Sequence, residues 1–304
     1  MSQNHILGLS VKNTLFDYIP IIVMILIAVL VALAAANLGL MYSGLPIIII
    51  CMITSFIIHW LVFIPSYIRK TEKYYDLTGS IAYLSVTFLA IYLTYEVSGQ
   101  ELHIRSLLLA LLISIWTLRL GLFLFTRILR AGEDKRFREI KNSFSKFLLA
   151  WTISGLWVFL TSANALTAII NNMDLSDDYF LYIGLGLWLT GFLFEVIADE
   201  QKKRFNADPE NYGNFITQGL WSISRHPNYF GEILLWFGIA VISFPTLKGW
   251  QIVTLISPFF VYFLLSKVSG INLLEKKDNE RWGSLKEYQD YKEKTAVLFP
   301  FLKN

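Results

Sequence analysis

Eight apolar stretches, each near the length that crosses a bilayer as a helix, dominate this chain. They run over roughly 17–38, 45–66, 79–97, 106–129, 146–170, 179–200, 230–246 and 250–268. A spanning helix needs about 20 apolar residues. The last two are parted by Pro245 and a short Thr-Leu-Lys-Gly turn, so they form two short spans or one broken hairpin, giving eight spans or seven. The charged fraction is 16%, against a soluble-domain norm of about 25%. The chain is expected to be an all-α integral membrane bundle of seven to eight helices. Cys51 stands alone within an apolar run, which excludes a disulfide framework and a cysteine metal site. No metal site is expected.

The connecting loops set an orientation. Arg69, Lys70 and Lys73 lie in one, Arg130, Lys135, Arg136, Arg138 and Lys141 in another, and Lys202, Lys203, Arg204 and Arg225 in a third. Asp174, Asp177 and Asp178 mark a loop without a base. With eight spans every basic loop falls on one side, as the positive-inside rule requires. Both termini are then cytoplasmic, and the first apolar run is expected to be retained rather than cleaved. After about residue 271, apolar and aromatic residues alternate with charges at loosely helical spacing. This predicts an amphipathic cap on the cytoplasmic face, tied down by Phe299-Pro300-Phe301. With no repeat and no linker, the chain reads as one membrane domain, 1–304.

The chemistry concentrates around Gly219–Trp236, GLWSISRHPNYFGEILLW. Pro227 suits the first position of a helix, because it has a fixed φ and no N–H to lose. Ser224, Arg225 and His226 then sit beside an N-terminus whose free N–H groups and dipole favour an anion, phosphate above all. Asn228 and Tyr229 follow, and Glu232 lies about one turn inside. Within apolar spans, ionisable groups are costly and mark cavities or partners. Here these are His59, Arg119, Arg127, and the pair Glu195 and Asp199 at i, i+4. His59 reads as a hydrogen-bonded packing residue, and an Arg119–Glu195 ion pair is a structural alternative. Carboxylates suit ribose hydroxyls, and Arg, Lys and a helix N-terminus suit phosphates. Together they outline a nucleotide cofactor site. No GxGxxG or P-loop supports a soluble dinucleotide fold.

These residues carry a resemblance. GLWSISRHPNYFGE at 219–232 resembles the C-terminal signature of the steroid 5α-reductase-like membrane reductases, especially an uncharacterised bacterial branch. WTLRLGLFLFTRILRAGEDKRF at 116–137, FEVIADEQKKRF at 194–205, SGINLLE at 269–275 and YQDYKEKTAVLFP at 288–300 extend it over residues 73–304, leaving 1–70 as additional N-terminal helices. Isoprenylcysteine carboxyl methyltransferases and phospholipid N-methyltransferases share the Arg-His-Pro core alone.

The resemblance implies NADPH-dependent reduction of a C=C bond conjugated to a carbonyl, in a lipophilic substrate, with membrane lipids around it and no nucleic acid. By position it implies Glu195, Asp199, Lys203, Arg225, His226, Asn228, Tyr229 and Glu232 at the cofactor, and Asp76, Tyr83 and Arg119 at the reaction. Asp76 is the nearest match to the family's carbonyl-binding glutamate. Trp116 stands where the family has a tyrosine, and Tyr83 is the possible substitute. Location in a bacterial inner membrane is expected. A methyltransferase using S-adenosylmethionine, with carboxylates such as Glu275 holding the cofactor, is the alternative. A non-catalytic lipid-binding or scaffold protein is the third reading.

Overall fold

The computed structural model describes residues 16–175, 178–268, 270–300 and 302. Residues 1–15, Asp177 and Phe301 lie outside the described residues, and with them any test of the retained N-terminus. Seven helical segments are long and apolar enough to cross a membrane, among the described residues. The eighth candidate is a shorter apolar helix, α1 (Ile19–Ala35). The all-α membrane bundle is borne out. One small exception is a two-residue antiparallel hairpin, β1 (Met41–Tyr42) with β2 (Leu45–Pro46).

The chain divides into two compact units. The first holds α1, α2 (Ile47–Ile68), α3 (Tyr75–Ser98), α4 (Ile104–Ala131), α5 (Phe144–Asn171) and the short segment Thr246–Thr254. Helix α5 is its centre. It is buried on nearly every face, whereas α2, α3 and α4 each bury less than half of their apolar length. Small residues allow this: Gly155 lies against Phe56, and its carbonyl accepts a hydrogen bond from Ser55 Oγ at 2.8 Å. Small residues at helix contacts let backbones approach, which matters where lipid removes the hydrophobic drive for helix pairing. Phe63, Phe137, Phe147 and Trp151 form an aromatic core at one end.

His59 is the packing residue that the sequence predicts. Its Nδ1 donates to the Ser55 carbonyl at 2.7 Å, so Nε2 is left to accept from Ser154 Oγ at 3.0 Å. The loop after α4 is pinned by Glu72, whose carboxylate accepts from Asp134 N–H at 2.8 Å and Lys141 Nζ at 2.9 Å.

The second unit holds α6 (Tyr179–Ala207), α7 (Pro227–Ser243), α8 (Ser257–Phe263), α9 (Ile271–Trp282) and α10 (Lys286–Lys294). Helix α6 is N-capped by the Asp178 carboxylate, which accepts from Leu181 N–H at 3.0 Å. The last apolar candidate is broken geometry. A 3₁₀ stretch over Gly249–Ile256 leads into α8, then a π turn over Leu264–Val268 before α9. The tail is tied down. Ala296 pairs with Ser224 in a parallel bridge, Ala296 O accepts from Arg225 N–H at 2.8 Å, and Leu298 O accepts from Ser224 Oγ at 2.8 Å.

Candidate functional site

Helix α7 begins at Pro227 with Pro at its first position and His226 as its cap, so the turn chemistry of Arg-His-Pro acts as read from sequence. Helices α6 and α7 run antiparallel with their backbones in contact at two glycine pairs, Gly184 with Gly238 and Gly191 with Gly231. Each pair is spaced two turns from the other, so both helices keep one smooth glycine face. This contact places the carboxylates of α6 beside the first turns of α7. Asn228 Nδ2 donates to Asp199 Oδ1 at 3.1 Å. Glu195, Asp199 and Glu232 are all buried.

The loop before α7 folds back onto α6. Trp221 Nε1 donates to Ala198 O at 3.0 Å, and Leu220 N–H to Gln201 Oε1 at 3.0 Å. Lys202 Nζ sits 4.4 Å from the centre of the Trp221 ring. Tyr291 of α10 donates to Trp221 O at 2.6 Å. Burial raises the Tyr291 phenol, and it raises that of Tyr288 to about 12 with help from the Glu275 and Asp278 charges. Both phenols stay protonated donors at neutral pH.

Between these elements lies a cleft of ≈ 210 Å³. Its charged lining is Lys202, Arg225, His226, Glu275, Asp278 and Arg281. Aromatic rings, including Phe215, Trp221 and Trp282, line most of the rest, with Asn206, Asn214 and Ile216. Glu275 bridges Arg225 and His226: Oε1 accepts from His226 Nε2 at 3.0 Å, and Oε2 lies 3.4 Å from Arg225 Nη1. His226 stacks on Tyr229, ring centroids 5.8 Å apart. Burial holds the His226 pKa below its ordinary value, although Glu275 pulls the other way. Neutral His226 therefore carries its proton on Nε2 and donates it to Glu275. A second, more open cleft of ≈ 360 Å³ shares Phe205 and Ile216 with the first.

The cleft takes in only some of the expected cofactor residues. Arg225 and His226 line the cleft, while Asn228 and Asp199 bond to each other. Lys203 pairs with Glu200 on an exposed face at 3.0 Å, whereas its neighbour Lys202 borders the cleft. Glu275, Asp278 and Arg281 join the lining from α9. Glu275 has a part in the sequence expectations only as a cofactor carboxylate of the methyltransferase alternative. The charge spacing of the tail was the one signal that could have found them.

The expected reaction residues lie in the first unit. Asp76 is in the first turn of α3. Tyr83 is buried, packs edge-on to Trp116 at 5.2 Å, and hydrogen-bonds to Thr161 Oγ1. Thr161 donates to Trp157 O at 2.8 Å, so Tyr83 is the donor in that pair. Arg119 is half-buried on α4, its guanidinium 5.2 Å from the centre of the Phe123 ring. Arg136 is a neighbour in charge of Asp76. Burial works against its charge, yet the hydrogen bonds and charge of Asp134, with Asp76 beyond, raise its pKa.

Among curated proteins, 3-oxo-5-alpha-steroid 4-dehydrogenase 1 of Macaca fascicularis is 30% identical over 127 residues, 42% of this chain and 43% of that protein. The chain therefore spans under half the length of that relative. An uncharacterised protein of Schizosaccharomyces pombe is 23% identical over 248 residues, 72% of this chain and 69% of its own. The probable O-methyltransferase ustE of Ustilaginoidea virens is 28% identical over 101 residues, 33% of this chain and 35% of its own. No solved structure matches significantly. The family described as "Protein of unknown function (DUF1295)" matches residues 62–295, well over half of the chain. Those residues contain the whole Arg225–His226–Glu275 constellation and both glycine pairs, and on that match the chain belongs to this steroid 5α-reductase-like family.

Proposed function

We propose that this protein is a membrane reductase that uses NADPH to reduce a C=C bond conjugated to a carbonyl in a steroid-like or other lipophilic substrate. The observation that carries the reading is the Arg225–His226 pair lining the cleft at the start of α7. The steroid dehydrogenase relatives support the same reading.

The residues fit a phosphorylated nucleotide on one structural ground. The Arg225 side chain is only 9% exposed, and among the described residues its buried Nε and Nη1 have no hydrogen-bond partner, a state that buried donors seldom keep. Ligand pockets commonly measure about 300–1,000 Å³, so the ≈ 210 Å³ cleft accommodates one end of a dinucleotide. Arg225, His226 and, in place of the expected Lys203, its cleft-lining neighbour Lys202 would hold phosphate, and Glu195, Asp199, Asn228, Tyr229 and Glu232 the nucleoside portions. When bound, NADPH supplies the hydride. Asp76, Tyr83 and Arg119 would act on the carbonyl oxygen, where negative charge develops and a donor is required. For Tyr83 to donate there, its hydroxyl must turn from Thr161.

The same reading takes the chain as one domain in a bacterial inner membrane, both termini cytoplasmic and α9–α10 forming an amphipathic cap. The one-sided distribution of basic loops supports this orientation.

A methyltransferase using S-adenosylmethionine is the second reading. The likeness to a probable O-methyltransferase and the place of Glu275 at the cleft favour it. Thermal unfolding of the detergent-solubilised protein separates the two. A ligand at 100 times its Kd stabilises by about 2.7 kcal/mol. NADPH should raise the Tm and S-adenosylmethionine should not. Stabilisation by S-adenosylmethionine alone overturns the reductase reading.

A further inference from the structure

The Arg225 side chain is only 9% exposed. A guanidinium offers five N–H donors in a planar fork that matches phosphate or carboxylate. Glu275 does not use that fork. Its Oε2 lies 3.4 Å from Nη1, a charge contact without hydrogen-bond alignment, and Nε has no hydrogen-bond partner among the described residues. The same carboxylate makes its well-formed hydrogen bond to His226 instead. A β-carbon on Gly270 would collide with the Leu265 carbonyl, so the turn into α9 is held close, and α9 brings Glu275 within hydrogen-bond reach of His226. Lys202 and Arg281 add positive charge to the same cleft. Against these three cations stand two carboxylates, Asp278 and Glu275, of which Glu275 is the one set against Arg225.

We propose that Glu275 is a resident stand-in for a phosphate group. Its charge balances Arg225 and it accepts from His226, and a diphosphate displaces it from Arg225 on binding, leaving it on His226. Glu275 thereby sets how tightly the cleft takes phosphate. The inference rests on the cofactor site proposed above, but the shared chemistry is a diphosphate, whether free or carried by a nucleotide.

The test uses the full-length protein in detergent, with binding of inorganic pyrophosphate and of NADPH measured separately by calorimetry at one low salt concentration. Glu275→Gln keeps the shape and can still accept from His226, but removes the competing charge. Like charges brought together are strongly disfavoured, so this variant should bind pyrophosphate about tenfold more tightly or better. Arg225→Gln should bind it more weakly than wild type. Thermal unfolding of each variant checks that it is folded, and Glu275→Asp, which retains the charge, should not tighten binding. If Glu275→Gln binds pyrophosphate no tighter than wild type, or if neither binds it, the proposal is overturned. Tighter pyrophosphate binding with no NADPH binding keeps the stand-in role and removes the reductase. NADPH binding with unchanged pyrophosphate affinity does the reverse.

Discussion

A β-carbon on Gly231 would lie 2.5 Å from the carbonyl oxygen of Gly191, closer than β-carbons approach a non-bonded atom. The contact between α6 and α7 therefore depends on glycine at both places, and that contact sets Asp199 against Asn228. Gly231→Ala should destabilise by about 1–3 kcal/mol, the usual cost of overpacking. Gly186 on the same α6 has nothing within 4 Å of its would-be β-carbon, and Gly186→Ala should be neutral or stabilising. Thermal unfolding of the two variants side by side checks the contrast. Equal effects would show that helix propensity, not close approach, governs both.

His226 gives the site a pH dependence with a definite sign. Burial lowers its pKa in the folded protein, while the unfolded imidazole titrates near 6.5. The unfolded chain therefore binds the proton first as pH falls. The stability linked to His226 is fully present above about pH 6.5 and declines as pH drops toward the folded value. His226→Gln should be less stable at neutral pH. It should also show a shallower fall in Tm from about pH 7.5 to about pH 5.5, since it has no imidazole to protonate. Parallel curves for wild type and variant would locate the titration elsewhere.

Glu72 is almost fully buried and accepts from both Asp134 N–H and Lys141 Nζ. Removing one partner of a buried ion pair costs about 3–5 kcal/mol because the other charge is stranded. Lys141 keeps Glu133 at 3.9 Å, which places Glu72→Ala near the lower end. The loop over 132–143 should loosen first. Limited proteolysis should cut the variant within that loop well before the wild type, and unchanged cleavage would mean that the loop is held by its aromatic contacts.

The reaction residues are tested through turnover. If Tyr83 or Asp76 donates to the developing oxyanion, Tyr83→Phe or Asp76→Asn should lower kcat about 10²–10³-fold with a smaller change in KM. NADPH oxidation with a lipophilic enone is the measurement. Asp76→Ala and Tyr83→Phe both leaving turnover intact would remove the assignment without touching the family membership. A loss at Thr161→Val smaller than at Tyr83→Phe would fit its role as the acceptor that orients the phenol.

Much of this molecule was written in local sequence. Runs of apolar residues long enough to cross a bilayer had to become helices, since lipid offers the backbone no other partner. Pro227 fixed where α7 begins, because its ring satisfies only a first-turn position. The i, i+4 spacing put Glu195 and Asp199 on one face of α6, and His59 could be read as a packing residue because an apolar helix leaves a lone imidazole only near neighbours to bond. The tertiary structure alone decided that Glu275, 49 residues beyond His226, would be its partner. It also decided that Lys202 rather than Lys203 borders the cleft. The path from α8 through a π turn and Gly270 into α9 depends on backbone fit against Leu265 and Tyr229, which no periodicity encodes. Spacing along a chain sets which face of a helix a residue occupies. Which other face it meets depends on how closely two backbones can approach, and here glycine contacts made that choice.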